Sequence, residues 1–153
     1  MKKFPAIIIT FLLFAVFSSC EKSWDSEEQK IIDHQIIEQY AKENNLNGSF
    51  TESGLYYVIY QEGSEAKPTI ESKVTVKYKG YYTDGKLLDE GTIKNYPLGN
   101  LIRGWQEGIK LIGKGGKMKL IIPSYLAYGH TPSGDVRPDA VLVFDVELID
   151  FSN

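Results

Sequence analysis

A single cysteine, Cys20, stands in a chain of 153 residues, so no internal disulfide can brace it and the fold has to rest on packing. Histidine is scarce too. His34 and His130 lie far apart in sequence, and with the one cysteine they form no cluster with metal-ligand spacing. No serine sits in a Gly-x-Ser-x-Gly elbow, which argues against a covalent hydrolase of that kind. Basic residues are not in excess. The 17 lysines and arginines face 20 aspartates and glutamates, and setting aside the two lysines of residues 1–19 leaves 15 against 20, a net charge of −5. That balance is unsuited to nucleic acid as a main partner. No apolar run reaches the roughly 20 residues of a membrane-crossing helix. Apolar residues are nevertheless plentiful, at 42%, enough for a real core and against global disorder. The length suits one domain of ordinary size.

The N-terminus has the pattern of an export signal. Lys2 and Lys3 supply positive charge, and Phe4 to Phe17 is an apolar stretch too short to span a bilayer comfortably. Ser18 and Ser19 then precede Cys20. This resembles a bacterial lipoprotein signal, with cleavage before Cys20 and lipid on its sulfur. Phe17 departs from it, since such signals more often carry Leu there. The expectation is a signal over 1–19 and a lipid anchor at Cys20. The protein would then sit in the cell envelope, on the periplasmic face or the cell surface, with the outer membrane expected.

Residues 20–49 read as a linker and an amphipathic helix. Ser26 and Gln29 have capping-box spacing, and Ile32, Ile36 and Tyr40 recur at i, i+4 and i+8 with Ile37 alongside. About five turns are expected, with Asn47-Gly48 as the stop signal. Such a stripe suits a spacer lying on the next domain or, less well because it is short, a dimerisation helix; a monomer is expected. After Gly54 the period changes to two. Leu55 to Tyr60 is strand-like, and Val74, Val76, Tyr78, Gly80 and Tyr82 alternate with polar or exposed positions. Asp84-Gly85 is a hairpin turn, and Leu87 and Leu88 begin the return strand. Residues 103–112 read as a short helix with Trp105, Ile109 and Ile112 on its apolar face, ended by Gly113, Gly115 and Gly116. Strands over 117–122 and 142–149 complete an α+β arrangement: an antiparallel sheet of about five strands around one short helix, preceded by the N-terminal helix.

Two motifs need weighing. Gly108-Ile109-Lys110-Leu111-Ile112-Gly113-Lys114-Gly115 spells most of a phosphate-binding loop. It ends in Gly115 where Ser or Thr is needed, and helix precedes strand where the reverse is required, so nucleotide binding is not expected. Trp105 lies between Gly104 and Gly108, and glycine costs roughly 1 kcal/mol relative to alanine inside a helix. Two of them imply that the helix backbone comes close to something.

Leu101-Ile102-Arg103-Gly104-Trp105, Ala127-Tyr128-Gly129, Leu142-Val143-Phe144 and Val74 to Gly80 are four separated blocks in one order. Together they resemble the FKBP family of peptidyl-prolyl isomerases, over about residues 54–149, and in particular FKBP lipoproteins of Bacteroidetes-type bacteria. The resemblance implies an FKBP-type isomerase domain over 50–153, with no cofactor and no metal. It also implies a site. Trp105 would floor a pocket walled by Tyr78, Phe144, Leu88 and Val136, beside Leu101. The Ile102 N–H and the Tyr128 hydroxyl would hold substrate carbonyls, and Asp89 would orient side chains or accept a hydrogen bond at the wall. Leu88 departs from the family's usual Phe. Glu90 to Pro97 reads as a short loop in which the family's further aromatic cannot be placed, and Gly129 to Pro138 as a mobile rim.

Such a site fits the chemistry. Rotation about an X-Pro bond is opposed by roughly 18–20 kcal/mol of amide resonance and needs no acid, base or metal to proceed. A dry aromatic pocket solvates the dipolar planar amide poorly, and the twisted, less resonant amide suffers less. The expected activity is isomerisation of X-Pro bonds in exported polypeptides. The alternative is a chaperone or assembly module with the same fold and little catalysis.

Overall fold

Residues 27–131 and 134–153 are described by the computed structural model, so the signal segment, Cys20 and the Ser26 cap lie outside the described residues. Helix α1 runs Glu27–Glu43, with Glu27 and Glu28 in its first turn and Lys42 in its last, both favourable to the helix dipole. It stops earlier than Asn47-Gly48. Asn45 takes a left-handed conformation (φ 51°), its N–H bonds Lys42 O at 3.2 Å, and the Leu46 N–H bonds Ala41 O at 2.9 Å. This is a Schellman cap, which Asn tolerates better than most residues.

Six strands follow: β1 Ser49–Phe50, β2 Tyr56–Gln61, β3 Lys73–Tyr82, β4 Leu87–Pro97, β5 Lys117–Ile122 and β6 Leu142–Ser152. They pair antiparallel in the order β1-β2-β5-β6-β3-β4. The five longer strands match the number expected, and the two-residue β1 is the sixth. Helix α2, Arg103–Gly108, continues as a 3-10 turn over Ile109–Leu111. Trp105, Ile109 and Ile112 pack on one sheet face with Val74, Val76, Met118, Leu120, Phe144 and Val146. The two glycines of α2 find their reason here. A Cβ on Gly108 would lie 2.5 Å from Leu120 Cδ2, and one on Gly104 would overlap Ile122, so only glycine lets α2 sit down on β5.

Helix α1 covers the other face. Ile37 and Ala41 pack with Tyr56, Val58, Ile121, Val141 and Val143. Coverage on both sides accounts for the unbroken apolar runs Leu120-Ile121-Ile122 and Val141-Leu142-Val143-Phe144, which alternate between the two layers. The buried stripe of α1 is Asp33, Ile37 and Ala41, one residue round from the Ile32, Ile36, Tyr40 stripe expected. Ile32 is 41% exposed, and Asp33 is fully buried in its place. Tyr81, Lys119 and Asp145 form a polar cluster on this side: Lys119 Nζ donates to the Tyr81 hydroxyl and, at 2.6 Å, to Asp145. Burial, then hydrogen bonding with Tyr81, pushes the Tyr40 phenol up to about 12.

Glu90 to Pro97 is no loop. It is the body of β4, paired with β3 as far as Pro97 opposite Lys73. As the edge strand of the sheet, β4 tolerates the terminal proline, which has no N–H to give the ladder.

Candidate active site

A cavity of about 330 Å³ opens between α2, the concave face of the sheet and the segment after β5. It lies at the small end of the range typical for ligand pockets. Its lining holds Tyr78, Leu88, Asp89, Leu101, Ile102, Trp105, Tyr128, Val136 and Phe144, so all nine residues expected from sequence meet at one place. It adds Ile93 and Asp135, which sequence reasoning missed.

Strand β3 presents Tyr78 and β6 presents Phe144, in a register that sets Gly80 opposite Phe144. A Cβ at Gly80 would overlap the Phe144 ring, so the glycine makes the space that the ring fills. Trp105 lies beneath, 3% exposed. Its ring is 5.2 Å from Tyr78 and 5.3 Å from Phe144, edge-on to both, the arrangement favoured by aromatic quadrupoles. The buried Trp105 Nε1 has no hydrogen-bond partner among the described residues.

Strand β4 reaches the cavity through a bulge. Tyr81 pairs with Leu87 and Gly80 with Asp89, leaving Leu88 as the extra residue. The bulge turns two consecutive side chains, Leu88 and Asp89, into the pocket. Beyond it, Ile93 falls opposite Val76, on the pocket side. Apart from Asp89, the walls contributed by β4 are therefore aliphatic, and Tyr96, the aromatic of the Glu90 to Pro97 stretch, is 42% exposed outside the lining. An isolated Ile in a polar stretch gave no period-two signal, which is why Ile93 escaped notice.

The polar groups are few. The Tyr78 hydroxyl donates to Asp89 Oδ2 at 2.5 Å. Burial first, then this bond and the charge of Asp89, pushes the Tyr78 phenol up to about 12. Burial also raises the Tyr128 phenol, helped by the Asp89 charge. Both therefore remain protonated donors at neutral pH. Gln106 Nε2 donates to Gly99 O at 3.0 Å and Leu101 O at 2.7 Å, fixing the turn that carries Leu101 and Ile102. The Ile102 N–H makes no hydrogen bond among the described residues. The far limb of the rim is tied down: Tyr82 Oη accepts from the Arg137 N–H at 3.2 Å and donates to Asp135 O at 3.3 Å, while Arg137 pairs with Asp84 at 2.8 Å. Among the described residues no group of three or more His, Cys, Asp or Glu is placed to hold a metal ion. The arrangement can seat a small apolar ring on Trp105 and offer neutral donors to carbonyls beside it.

The sequence profile of FKBP-type peptidyl-prolyl cis-trans isomerases matches residues 64–149. The FKBP-type peptidyl-prolyl cis-trans isomerase FkpA of Escherichia coli is 39% identical over 130 residues, covering 82% of this chain and 47% of that protein. FkpA of Aeromonas hydrophila gives the same identity over 129 residues, again with 82% and 47% coverage. The chain thus spans about half the length of these curated relatives. The crystal structure of E. coli FkpA superposes with a TM-score of 0.73 at 36% identity, over 84% of this chain and 61% of that one. A peptidyl-prolyl cis-trans isomerase from Pseudomonas syringae superposes with a TM-score of 0.71 at 29% identity, over 83% of this chain and 96% of that one.

Proposed function

The chain belongs to the FKBP-type peptidyl-prolyl cis-trans isomerase family, and from that premise we propose that it accelerates rotation about X-Pro bonds of polypeptides. The observation that carries this reading is the Trp105-floored cavity, in which aromatic and aliphatic walls surround a few neutral donors. A proline ring seated on Trp105 leaves its amide in surroundings that solvate the planar dipole worse than water does. The Ile102 N–H and the Tyr128 hydroxyl, neither hydrogen-bonded among the described residues, can hold the flanking carbonyls. Asp89 keeps the Tyr78 ring in place through its hydroxyl. The test is the isomerisation rate of Leu-Pro and Ala-Pro tetrapeptides with added protein. A rate no higher than background on both would discard catalysis and leave a binding module of the same fold.

No group in the pocket has to gain or lose a proton, and the raised phenols of Tyr78 and Tyr128 keep their hydrogens well above neutrality. Turnover is expected to be flat between about pH 6 and 8. A bell-shaped profile there would point to acid–base catalysis instead.

Tyr128→Phe keeps the ring and removes one hydrogen bond to substrate. It is expected to lower kcat/KM about two- to twelvefold with the fold intact, from a contribution of about 0.5–1.5 kcal/mol. Leu88→Phe restores the family's usual wall and is expected to raise kcat/KM. Both are read by kinetics beside circular dichroism.

We also propose lipidation of Cys20 and residence in the cell envelope as a monomer, supported by the short apolar stretch and the small residues before the cysteine. No helix among the described residues is long and apolar enough to cross a membrane. Labelling with a fatty-acid analogue is expected to tag the wild type and spare Cys20→Ala, which should also leave the membrane fraction. Equal labelling of the two proteins would rule the anchor out.

A further inference from the structure

We propose that Asp33 of α1, outside the stretch that matches the family profile, is a positioning residue for the pocket: it holds the start of the Ser124–Gly129 turn and through it Tyr128. The proposal rests on the isomerase reading above. Asp33 is fully buried, an unusual place for a carboxylate in the middle of a helix, one turn before buried Ile37. It survives there because both of its oxygens accept hydrogen bonds. Oδ2 accepts from the Ser124 N–H at 2.7 Å and from Ser124 Oγ at 2.7 Å, and Oδ1 accepts from Gln29 Nε2 at 2.9 Å. Ser124 is itself fully buried.

The far side of Ser124 continues the connection. Its carbonyl accepts from the Ala127 N–H at 3.0 Å and from the Gly129 N–H at 2.9 Å. Those residues flank Tyr128, so one peptide grips the chain on both sides of the tyrosine. Asp33 grips the same serine from behind. Within the turn, the Leu126 N–H bonds Pro123 O at 3.0 Å and the Tyr125 hydroxyl bonds Ser53 O at 3.0 Å. Among the described residues, Asp33 is the one carboxylate bonded to Ser124. Tyr128, 39% exposed at the rim, has little packing of its own to fix it. Its placement is set by the turn, and the turn is set in part by α1. A small displacement of a substrate-holding group costs rate out of proportion to the stability lost.

The test uses the full chain with Asp33→Ala and Asp33→Asn, each alone and with Tyr128→Phe, folding being checked by circular dichroism. Because Asp33 acts through Tyr128, its removal cannot cost more by this route than removal of the Tyr128 hydroxyl. Asp33→Ala is expected to lower kcat/KM about two- to fivefold in the wild-type background and by less than about 1.5-fold beside Tyr128→Phe. Asp33→Asn keeps an acceptor for Ser124 and should retain most of the activity. Equal losses in both backgrounds, which a merely structural role would give, overturn the proposal. Amide NMR spectra decide it independently of turnover: the Ala127, Tyr128 and Gly129 resonances should shift in Asp33→Ala and much less in Asp33→Asn. Unmoved resonances also overturn it, even if the wild type proves inactive and the isomerase reading falls. Should Asp33→Ala fail to fold, Ser124→Ala removes only the hydroxyl contact and is read by the same cycle and the same resonances.

Discussion

Phe144→Ala is expected to cost about 3–5 kcal/mol of stability, toward the upper end of that range, and to abolish isomerisation with it. Phe144 is 5% exposed near the start of β6 and lies against the rings of Trp105 and Tyr78. The cost of such a truncation depends on how far neighbours collapse into the hole. Here the residue opposite is Gly80, which has no side chain to move, and Trp105 is already held edge-on beneath. For a chain near this size, each kcal/mol lowers the melting temperature by about 2–4 °C, so a fall of roughly 6–20 °C is expected. Phe144→Leu separates packing from chemistry. It keeps most of the volume, and its stability cost should stay below about 1.5 kcal/mol. It nevertheless removes the aromatic edge beside the amide, so kcat/KM should drop while the protein remains folded. A melting temperature for Phe144→Ala within about 2 °C of wild type would mean that this ring is not part of the core.

Ile37→Ala is expected to cost about 2–5 kcal/mol although it lies far from the pocket and outside the family profile. Ile37 is fully buried among Tyr56, Val58, Ile121, Val141 and Val143. Helices in proteins draw most of their stability from packing of one face, so the 17-residue α1 owes its persistence to this docking. Without it, an apolar sheet face would be open to solvent. Thermal or urea unfolding of Ile37→Ala measures the effect directly. Deletion of residues 21–48 should be more damaging still, and would expose β2, β5 and β6 on that side. Unchanged melting in both variants would mean that α1 is a detached spacer in solution. The two results together assign the two sheet faces, one to the pocket and α2, the other to α1.

The sequence by itself carried the period-two strands, the glycine-flanked Trp105 and the separated blocks that put Tyr78, Tyr128 and Phe144 on different elements. These are local signals. Strand alternation follows from the pleat, and the spacing within each block survives whatever the chain does elsewhere. The same signals yielded α1 as an amphipathic helix, though turned by one residue. Hydropathy counts Ile32 as inward and Asp33 as outward, because a carboxylate is costly to bury. Ser124, 91 residues away, reverses that order by supplying two donors to the buried oxygen. Of the β4 residues in the pocket, only Ile93 was hidden, and for a related reason. Leu88 and Asp89 are neighbours, and a regular strand would send them to opposite faces; only the bulge against β3 brings both into the cavity and sets the parity that places Ile93 there. Asp135 likewise lines the pocket because Tyr82 and Asp84 hold its limb of the rim from the other side of the sheet turn. Periodicity and spacing are properties of a segment and can be read along it. Register, bulges and the pairing of a buried charge depend on which distant segment lies alongside, and only the tertiary structure decides that.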